Sequence, residues 1–152
     1  MTALDKFRLD GKVAIIPGGG GGIGSALACG LASAGADVSI VERSRELGEP
    51  AAEKVRAAGC RSLTVAGDMT KEEDADRAVA ETIAGLGRLD IIINAIGGGA
   101  GKVLFPAHEY PRDAWDWIFE LNVRANLLPT QAAVRAMIAA GHGGRVLNIS
   151  SV

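Results

Sequence analysis

Five consecutive glycines, Gly18 to Gly22, stand between an apolar stretch and a segment with helical periodicity. The apolar stretch, residues 13–16, has the character of a buried strand, and the apolar residues after the run recur at the spacing of one helix face. Glycines let the backbone turn sharply and approach a diphosphate closely, and a helix N-terminus offers free N–H groups and a partial positive charge. The strand, the glycine loop and the helix together predict a cradle for a dinucleotide.

The glycine run by itself fits three different glycine motifs and does not distinguish between them. Gly19, Gly21 and Gly24 fit G-x-G-x-x-G, whereas Gly18, Gly21 and Gly24 fit G-x-x-G-x-x-G. Gly18, Gly22 and Gly24 fit a third pattern, G-x-x-x-G-x-G. The alternative interpretation of the run is a flexible loop between a strand and a helix that binds nothing.

Length and composition predict one ordinary globular domain over residues 1–152. A chain of 152 residues is long enough to bury roughly 70% of the surface that its unfolded form exposes. The net charge is −2, so no basic field attracts nucleic acid, and we expect no partner of that kind. No apolar run approaches the length of a membrane span, and residues 1–10 lack the apolar core of a signal peptide, so we expect a cytoplasmic protein without a membrane partner.

The cysteines and histidines do not predict a metal site. Cys29 and Cys60 lack the paired spacing of a metal or redox centre, and we expect both to be reduced thiols. His108 and His142 have no second ligand at helical or short-loop spacing.

Strand-like and helix-like segments alternate along the chain, with short connections. Strands are predicted at residues 13–16, 38–41, 63–66, 89–94 and 145–149. Such alternation requires a parallel sheet with helices on both faces. We therefore predict an α/β fold, a Rossmann-like doubly wound sheet of about five strands that binds ligands at the carboxyl ends of the strands.

Three local signals set helix ends within this scheme. Pro50 is predicted to be the first residue of the second helix, because proline is favoured at that position. Thr70 and Glu73 have the spacing of a capping box at the start of the third helix. A long helical stretch from about residue 112 to residue 140 is predicted to be interrupted at Pro129.

An acidic side chain, Glu42, ends the second predicted strand, 18 positions after Gly24. This is close to the offset at which a carboxylate meets the ribose hydroxyls of NAD and repels the 2′-phosphate of NADP. Arg43 follows directly and has the charge to pair with such a phosphate. We expect NAD rather than NADP, with NADP as the alternative, and with two solvated loop charges as the interpretation that assigns no function.

The loop, the acidic offset and the later motifs together resemble the classical short-chain dehydrogenases/reductases. Gly18, Gly22 and Gly24 match the family's T-G-x-x-x-G-x-G loop, and the resemblance thereby selects one register. It implies that these glycines and Ile23 contact the cofactor.

Three further motifs carry the resemblance along the chain. Asp68, followed by Met69, falls where the family places the aspartate that binds the adenine ring. Asn94-Ala95-Ile96-Gly97 resembles the N-N-A-G motif, which implies cofactor contacts for Asn94, Ala95 and Gly97. The end of the last predicted strand matches the segment that carries the family's substrate-binding serine.

Two catalytic residues are implied by the same resemblance. Ser151 matches the serine that hydrogen-bonds the substrate oxygen. Asn122 matches the asparagine that holds a water of the proton relay.

The sequence departs from the family pattern at three places. Pro17 stands in place of the usual Thr or Ser, and Ala95 in place of the second Asn of N-N-A-G. The family's Tyr-x-x-x-Lys lies about a dozen residues beyond the serine, and the sequence ends at Val152. We therefore expect the cofactor-binding portion of a longer oxidoreductase, truncated after the fifth strand, with no appreciable turnover by itself.

Two functions of different classes follow. The first is an NAD(P)-dependent oxidoreductase that transfers hydride between the nicotinamide and an alcohol or ketone, which the resemblance implies is a homo-oligomer at full length. Residues 98–110 favour, weakly, a polar substrate such as a sugar or sugar acid. The second is a noncatalytic dinucleotide-binding or assembly fragment.

Overall fold

A five-stranded parallel sheet forms the centre of the fold in the computed structural model, which describes residues 4–99, 101 and 103–150. The strands are β1 (Val13–Pro17), β2 (Asp37–Glu42), β3 (Ser62–Ala66), β4 (Ile91–Asn94) and β5 (Arg145–Asn148). Their order is β3-β2-β1-β4-β5, and every neighbouring pair is parallel. All five predicted strands are present, with ends that differ from the prediction by at most two residues.

Five α-helices accompany the sheet in the described part of the chain. They are α1 (Gly22–Ser33), α2 (Arg45–Ala57), α3 (Glu72–Leu86), α4 (Arg112–Phe119) and α5 (Ala125–Ala140). A π-helical turn, Glu120–Arg124, joins α4 to α5. Two short 3-10 turns lie at Leu4–Phe7 and Ala107–Glu109.

The helices cover both faces of the sheet, and β1 shows how the side chains divide between them. Ile15 belongs to a buried cluster with residues of α3 and α5, while Ala14 and Ile16 belong to a second cluster with residues of α1 and α2. Both faces of β1 are therefore fully buried, which explains its uninterrupted apolar sequence. The predicted Rossmann-like doubly wound fold is confirmed.

The strand order reverses direction between β1 and β4. The chain leaves β1 toward β2 on one side, and β4 then lies on the other side of β1. In an open α/β sheet such a reversal leaves a crevice outside the carboxyl ends of the two strands. The glycine run follows β1 directly and so lies at this crevice.

The predicted start of the second helix at Pro50 is wrong, because α2 begins at Arg45 and Pro50 lies inside it. Gly48, Ala51, Ala52 and Val55 are buried at the i, i+3, i+4 and i+7 positions of α2. Packing of this face against the sheet holds the helix through a residue that lacks an N–H donor.

The predicted capping box is also wrong. The helix α3 begins at Glu72, and its N-cap residue Lys71 makes no side-chain cap. The hydroxyl of Thr70 instead donates to Oδ1 of Asp68 at 2.7 Å. The nearby carboxylate therefore takes the hydroxyl that the capping box requires.

The predicted interruption at Pro129 is misplaced. Pro129 lies inside α5, and the irregular turn is the π-helical segment Glu120–Arg124 before it. The amide of Asn126 donates to the carbonyl oxygen of Asn122 at 2.8 Å, which provides a partner for a carbonyl in the wider turn.

A buried carboxylate, Asp90, ties together the amino ends of the central strands. Its oxygens accept the N–H of Val13 at 3.0 Å, the guanidinium of Arg88 at 2.6 and 2.7 Å, and the ammonium of Lys12 at 3.3 Å. Burial alone would raise the pKa of Asp90, but these hydrogen bonds outweigh it and hold the pKa below its usual range.

Asp90→Asn is expected to lower the free energy of unfolding by about 1–3 kcal/mol at pH 7, since charged hydrogen bonds are lost. The folded-state pKa lies below the unfolded value, so this stabilisation is present above about pH 4 and is lost as the pH falls through the folded-state pKa. Urea titrations at pH 7 and below about pH 4 measure the difference in unfolding free energy between wild type and variant, which narrows only at the lower pH. The control is Asp76→Asn, which removes an exposed ion pair with Arg135 and costs less than about 1 kcal/mol. Equal losses from both variants would contradict the account.

Candidate dinucleotide-binding site

The glycine run leaves β1 through a left-handed turn at Gly18, where φ is +78°. The N–H of Gly18 donates to the carbonyl of Val41 at 2.9 Å, so the loop is held against β2. A Cβ at Gly18 would lie 2.7 Å from the carbonyl oxygen of Ala95. Both the backbone conformation and the proximity of the chain after β4 therefore require glycine at this position.

The second and third glycines of the matched pattern differ in what surrounds them. A Cβ on Gly24 would overlap the carbonyl oxygen of Gly18, whereas a Cβ on Gly22 would meet no protein atom within 4 Å. Gly24 thus lets the helix pack against its own loop. No intramolecular contact with a described residue accounts for glycine at position 22.

The first turn of α1 presents N–H groups to the space above Gly22. The first backbone hydrogen bond at the start of this helix runs from the N–H of Ser25 to the carbonyl of Gly21, at 2.8 Å. The N–H groups of Gly22, Ile23 and Gly24 precede it and have no partner among the described residues. Together with the helix dipole they form a suitable site for a diphosphate.

The glycine loop stays hydrogen-bonded to the sheet on both sides of Pro17. Its carbonyl accepts the N–H of Ala95 at 2.9 Å, and the following N–H, that of Gly18, bonds to β2. Backbone bonds on both sides therefore anchor the loop without the hydroxyl that the family usually has at this position.

The carboxylate of Glu42 lies at the carboxyl end of β2, beside the glycine run. Its Oε1 accepts the N–H of Gly20 at 3.1 Å, and its Oε2 accepts the N–H of Arg43 at 3.3 Å. Arg43 itself is exposed. The two predicted ribose-side residues are thus both at the crevice, with the acidic one held by backbone donors.

A first cleft of about 210 Å³ lies over the ends of β1, β2 and β3. Its lining includes seven residues that the sequence analysis assigned to cofactor binding, namely Gly18, Glu42, Arg43, Asp68, Met69, Ala95 and Gly97. The side chain of Met69 is buried in the core beneath this cleft. The cleft has a carboxylate at each of two strand ends and an apolar floor, as an adenosine would require.

Asp68 is fixed as an ionised acceptor in this cleft. The hydroxyl and the N–H of Thr70 both donate to its Oδ1, at 2.7 and 3.0 Å. These two bonds hold the pKa of Asp68 below its usual range. A carboxylate in this state accepts hydrogen bonds from an amino group such as that of adenine.

A second cleft of about 570 Å³ lies on the other side of the chain that follows β4. Ala95, Ile96 and Gly97 line both clefts, so this segment borders the two of them. Ile23 and Asn122 line the second cleft with Gly98, Ile149 and Ser150. A dinucleotide that crosses the start of α1 can therefore place one half in each cleft.

The side chain of Asn122 is fixed against the second glycine loop. Its Oδ1 accepts the N–H of Gly98 at 3.0 Å, and its Nδ2 donates to the carbonyl of Gly98 at 3.1 Å. Asn126 also holds this region, since its amide donates to the carbonyls of Asn122 and Ile96.

The remaining two predicted residues are Asn94 and Ser151. Asn94 is fully buried, and its amide donates to Thr130 at 2.6 Å and to Asn148 at 2.7 Å. It joins β4, β5 and α5 beneath the clefts, so any effect on a ligand passes through the sheet. Ser151 lies outside the described residues, and its neighbour Ser150 lines the second cleft.

Sequence reasoning missed several residues of the site. Gly67 and Thr70 line the first cleft directly after β3, and Leu121 reaches it from the π-helical turn. The position of Gly67 at the carboxyl end of a predicted strand was an available signal. Asn126 was also detectable, because it stands one helical turn after Asn122.

A model of the short chain dehydrogenase family matches residues 12–152. The match covers nearly the whole chain. The chain belongs to this family. The G-x-x-x-G-x-G register at Gly18, Gly22 and Gly24, which the resemblance selects, stays a prediction.

Curated relatives are longer than this short-chain dehydrogenase sequence. An uncharacterized oxidoreductase, MT0954, from Mycobacterium tuberculosis is 42% identical over 97% of the chain and 55% of its own length. A sorbitol dehydrogenase from Cereibacter sphaeroides is 38% identical over 95% of the chain and 54% of its own length. The chain thus spans about half the length of the curated relatives that it matches.

Solved structures of the family superpose closely on this short-chain dehydrogenase chain. A short-chain type dehydrogenase/reductase from Mycobacterium marinum gives a TM-score of 0.91 at 30% identity, over 99% of this chain and 60% of the other. NAD+-bound xylitol dehydrogenase gives 0.86 at 31%, over 96% and 54%. A gluconate 5-dehydrogenase from Burkholderia cenocepacia, in complex with NADP and tartrate, gives 0.87 at 36%, over 99% and 57%.

Within the described ranges, no group of three His, Cys, Asp or Glu side chains is placed to hold a metal ion. No helix in the same part of the chain is long and apolar enough to cross a membrane.

Gly24→Ala is expected to lower the free energy of unfolding by about 1–3 kcal/mol, because its Cβ must displace the loop backbone. Gly22→Ala, where the space is open, should change it by less than about 0.5 kcal/mol. Thermal and urea unfolding without any ligand measure both. A large loss of stability in Gly22→Ala would show that the protein itself requires glycine there.

Proposed function

We propose that the chain is the cofactor-binding part of an oxidoreductase that transfers hydride between a nicotinamide dinucleotide and an alcohol or ketone. The observation that carries this proposal is the start of α1. Gly22 has open space where a Cβ would project, beside three N–H groups without described partners. A diphosphate accounts for both features at once, because it needs close backbone approach and accepts N–H bonds.

The chain's own residues supply a place for each part of such a cofactor. Asp68 accepts from the adenine, Glu42 accepts from the ribose of the adenosine half, and the N–H groups of Gly22, Ile23 and Gly24 bind the diphosphate. When bound, the nicotinamide supplies a hydride at C4 of its ring. The side chain of Ile23 is 62% exposed at the second cleft and is available to pack against that half of the cofactor.

We propose NAD as the preferred cofactor. Glu42 is held by backbone donors at the end of β2, and a fixed negative charge there accepts a ribose hydroxyl and repels a 2′-phosphate. The relatives do not distinguish between NAD and NADP, since one structural neighbour holds NAD+ and another holds NADP. The support for NAD is therefore the anchored carboxylate of this chain.

We propose a polyol, sugar or sugar acid as the substrate class. The relatives named above include a sorbitol dehydrogenase, a xylitol dehydrogenase and a gluconate 5-dehydrogenase. The second cleft offers amide and hydroxyl groups from Asn122 and Ser150 near an apolar wall. In this proposal Ser151 polarises the substrate oxygen, and Asn122 positions a water for proton transfer.

We further propose that the full-length protein is a homo-oligomer. Four apolar side chains along α4, the π-helical turn and α5 are about half exposed, namely Trp115, Phe119, Val123 and Leu127. Covering them would remove apolar surface from water.

The protein is expected to bind NAD+ at least about tenfold more tightly than NADP+, because the 2′-phosphate meets a like charge at Glu42. Glu42→Ala should narrow this ratio, whereas Glu53→Ala, an exposed charge on α2, should leave it unchanged. Calorimetric titration of each cofactor measures the ratio. Tighter binding of NADP+ would show that Arg43 rather than Glu42 sets the choice.

Gly22→Ala is expected to weaken NAD+ binding at least about tenfold, since its Cβ occupies the space proposed for the diphosphate. Gly30→Ala is the matched control, because Gly30 is exposed in the same helix and its added Cβ meets nothing within 4 Å. Titration of NAD+ into both variants distinguishes them. Unchanged affinity in Gly22→Ala would remove the main support for the proposed function.

A further inference from the structure

We propose that Gly20 is a positioning residue that sets the choice between NAD and NADP by holding the carboxylate of Glu42. Gly20 is one of the unspecified positions of the G-x-x-x-G-x-G pattern, so the pattern itself gives it no role. The proposal rests on the proposed function, in which Glu42 meets the adenosine ribose.

The geometry places Gly20 directly against the discriminating side chain. Its N–H donates to Oε1 of Glu42 at 3.1 Å, and the N–H of Arg43 donates to Oε2 at 3.3 Å. Each carboxylate oxygen is thus bonded to a backbone donor and keeps further lone pairs for ribose hydroxyls. The carboxylate is oriented before any ligand arrives.

Only glycine fits between Glu42 and the helix that follows it. A Cβ on Gly20 would overlap the carbonyl oxygen of Leu47 and would lie 2.9 Å from Cγ of Glu42. The turn of α2 that carries Leu47 cannot move away from Gly20, because the adjacent Gly48 packs closely against β3. A Cβ on Gly48 would lie 2.5 Å from the Thr64 methyl group. A side chain at position 20 must therefore move the glycine loop away from Glu42.

An anchor matters more for this glutamate than it would for a shorter acid. The side chain of Glu has several rotatable bonds, so without a partner its carboxylate can swing away from the ribose. The exposed Arg43 then has the charge and reach to pair with a 2′-phosphate. Discrimination against NADP thus requires a fixed carboxylate as well as a negative charge.

The test compares the ratio of the NADP+ and NAD+ dissociation constants in wild type, Gly20→Ala and Gly21→Ala. Gly21 is the matched control, because a Cβ there would meet only the carbonyl oxygen of Gly18, at 3.4 Å. We expect Gly20→Ala to reduce the ratio about three- to tenfold, as expected when a charged hydrogen bond is weakened. Gly21→Ala should keep the ratio, whatever its effect on the two affinities.

Glu42→Ala supplies the coupling test. In that background Gly20→Ala should change the ratio no further, because the carboxylate that it positions is absent. A reduced ratio in Gly20→Ala that persists in the absence of Glu42 would overturn the proposal.

A spectroscopic measurement replaces the binding test if Gly20→Ala does not fold. The amide proton resonance of Gly20 should move upfield in Glu42→Ala relative to wild type, since its acceptor is gone, and that of Gly21 should move much less. An unmoved Gly20 resonance would overturn the proposal.

The outcomes separate this proposal from the proposed function. A wild-type protein that binds neither cofactor overturns both. A wild-type preference for NADP+ overturns the role of Gly20 and the proposed preference for NAD, and leaves the proposed hydride transfer standing. A wild-type preference for NAD+ with the same ratio in Gly20→Ala overturns the role of Gly20 alone and leaves the proposed function standing.

Discussion

The close approach of the glycine loop to the ends of three strands is the constraint on which the site depends. Gly18 turns the chain in a left-handed conformation, with no room for a Cβ against the carbonyl of Ala95. Its N–H bonds to β2, and the N–H of Ala95 bonds back to Pro17 of β1. Because this contact sets where α1 begins, it also sets where the free N–H groups of that helix point. A small shift of the loop would separate these donors from the acidic ends of β2 and β3.

The two clefts follow from the strand order. The strand order reverses between β1 and β4, and the segment 95–97, which follows β4 at this reversal, lines both clefts. On one side Asp68 and Glu42 provide ionic acceptors, whereas on the other side Ile23 and Asn122 provide an apolar wall and a rigid amide. This asymmetry suits a ligand with two unlike halves joined by a diphosphate, and it connects the fold to the hydride transfer that we propose.

Much of this arrangement could be predicted from sequence because buried strands and helix faces leave periodic patterns, and because the family motifs identify strand ends. The errors occur where tertiary contacts override local rules. Pro50 lies inside α2 because packing of the buried face of that helix stabilises it. The hydroxyl of Thr70 donates to Asp68 and does not form a capping box. The bond between Gly20 and Glu42 joins residues 22 positions apart, and no periodic pattern indicates such a contact. The burial of Asn94 beneath the clefts likewise depends on β5 and α5, which come later in the chain.

A crystal structure of the protein with bound NAD+ tests the central claim most directly, because it shows every proposed contact at once. The account predicts the diphosphate within hydrogen-bond distance of the N–H groups at the start of α1, above Gly22. It also predicts the adenosine between Glu42 and Asp68, and the nicotinamide in the cleft lined by Ile23 and Asn122. A dinucleotide bound elsewhere, or with its two halves exchanged between the clefts, would contradict the account.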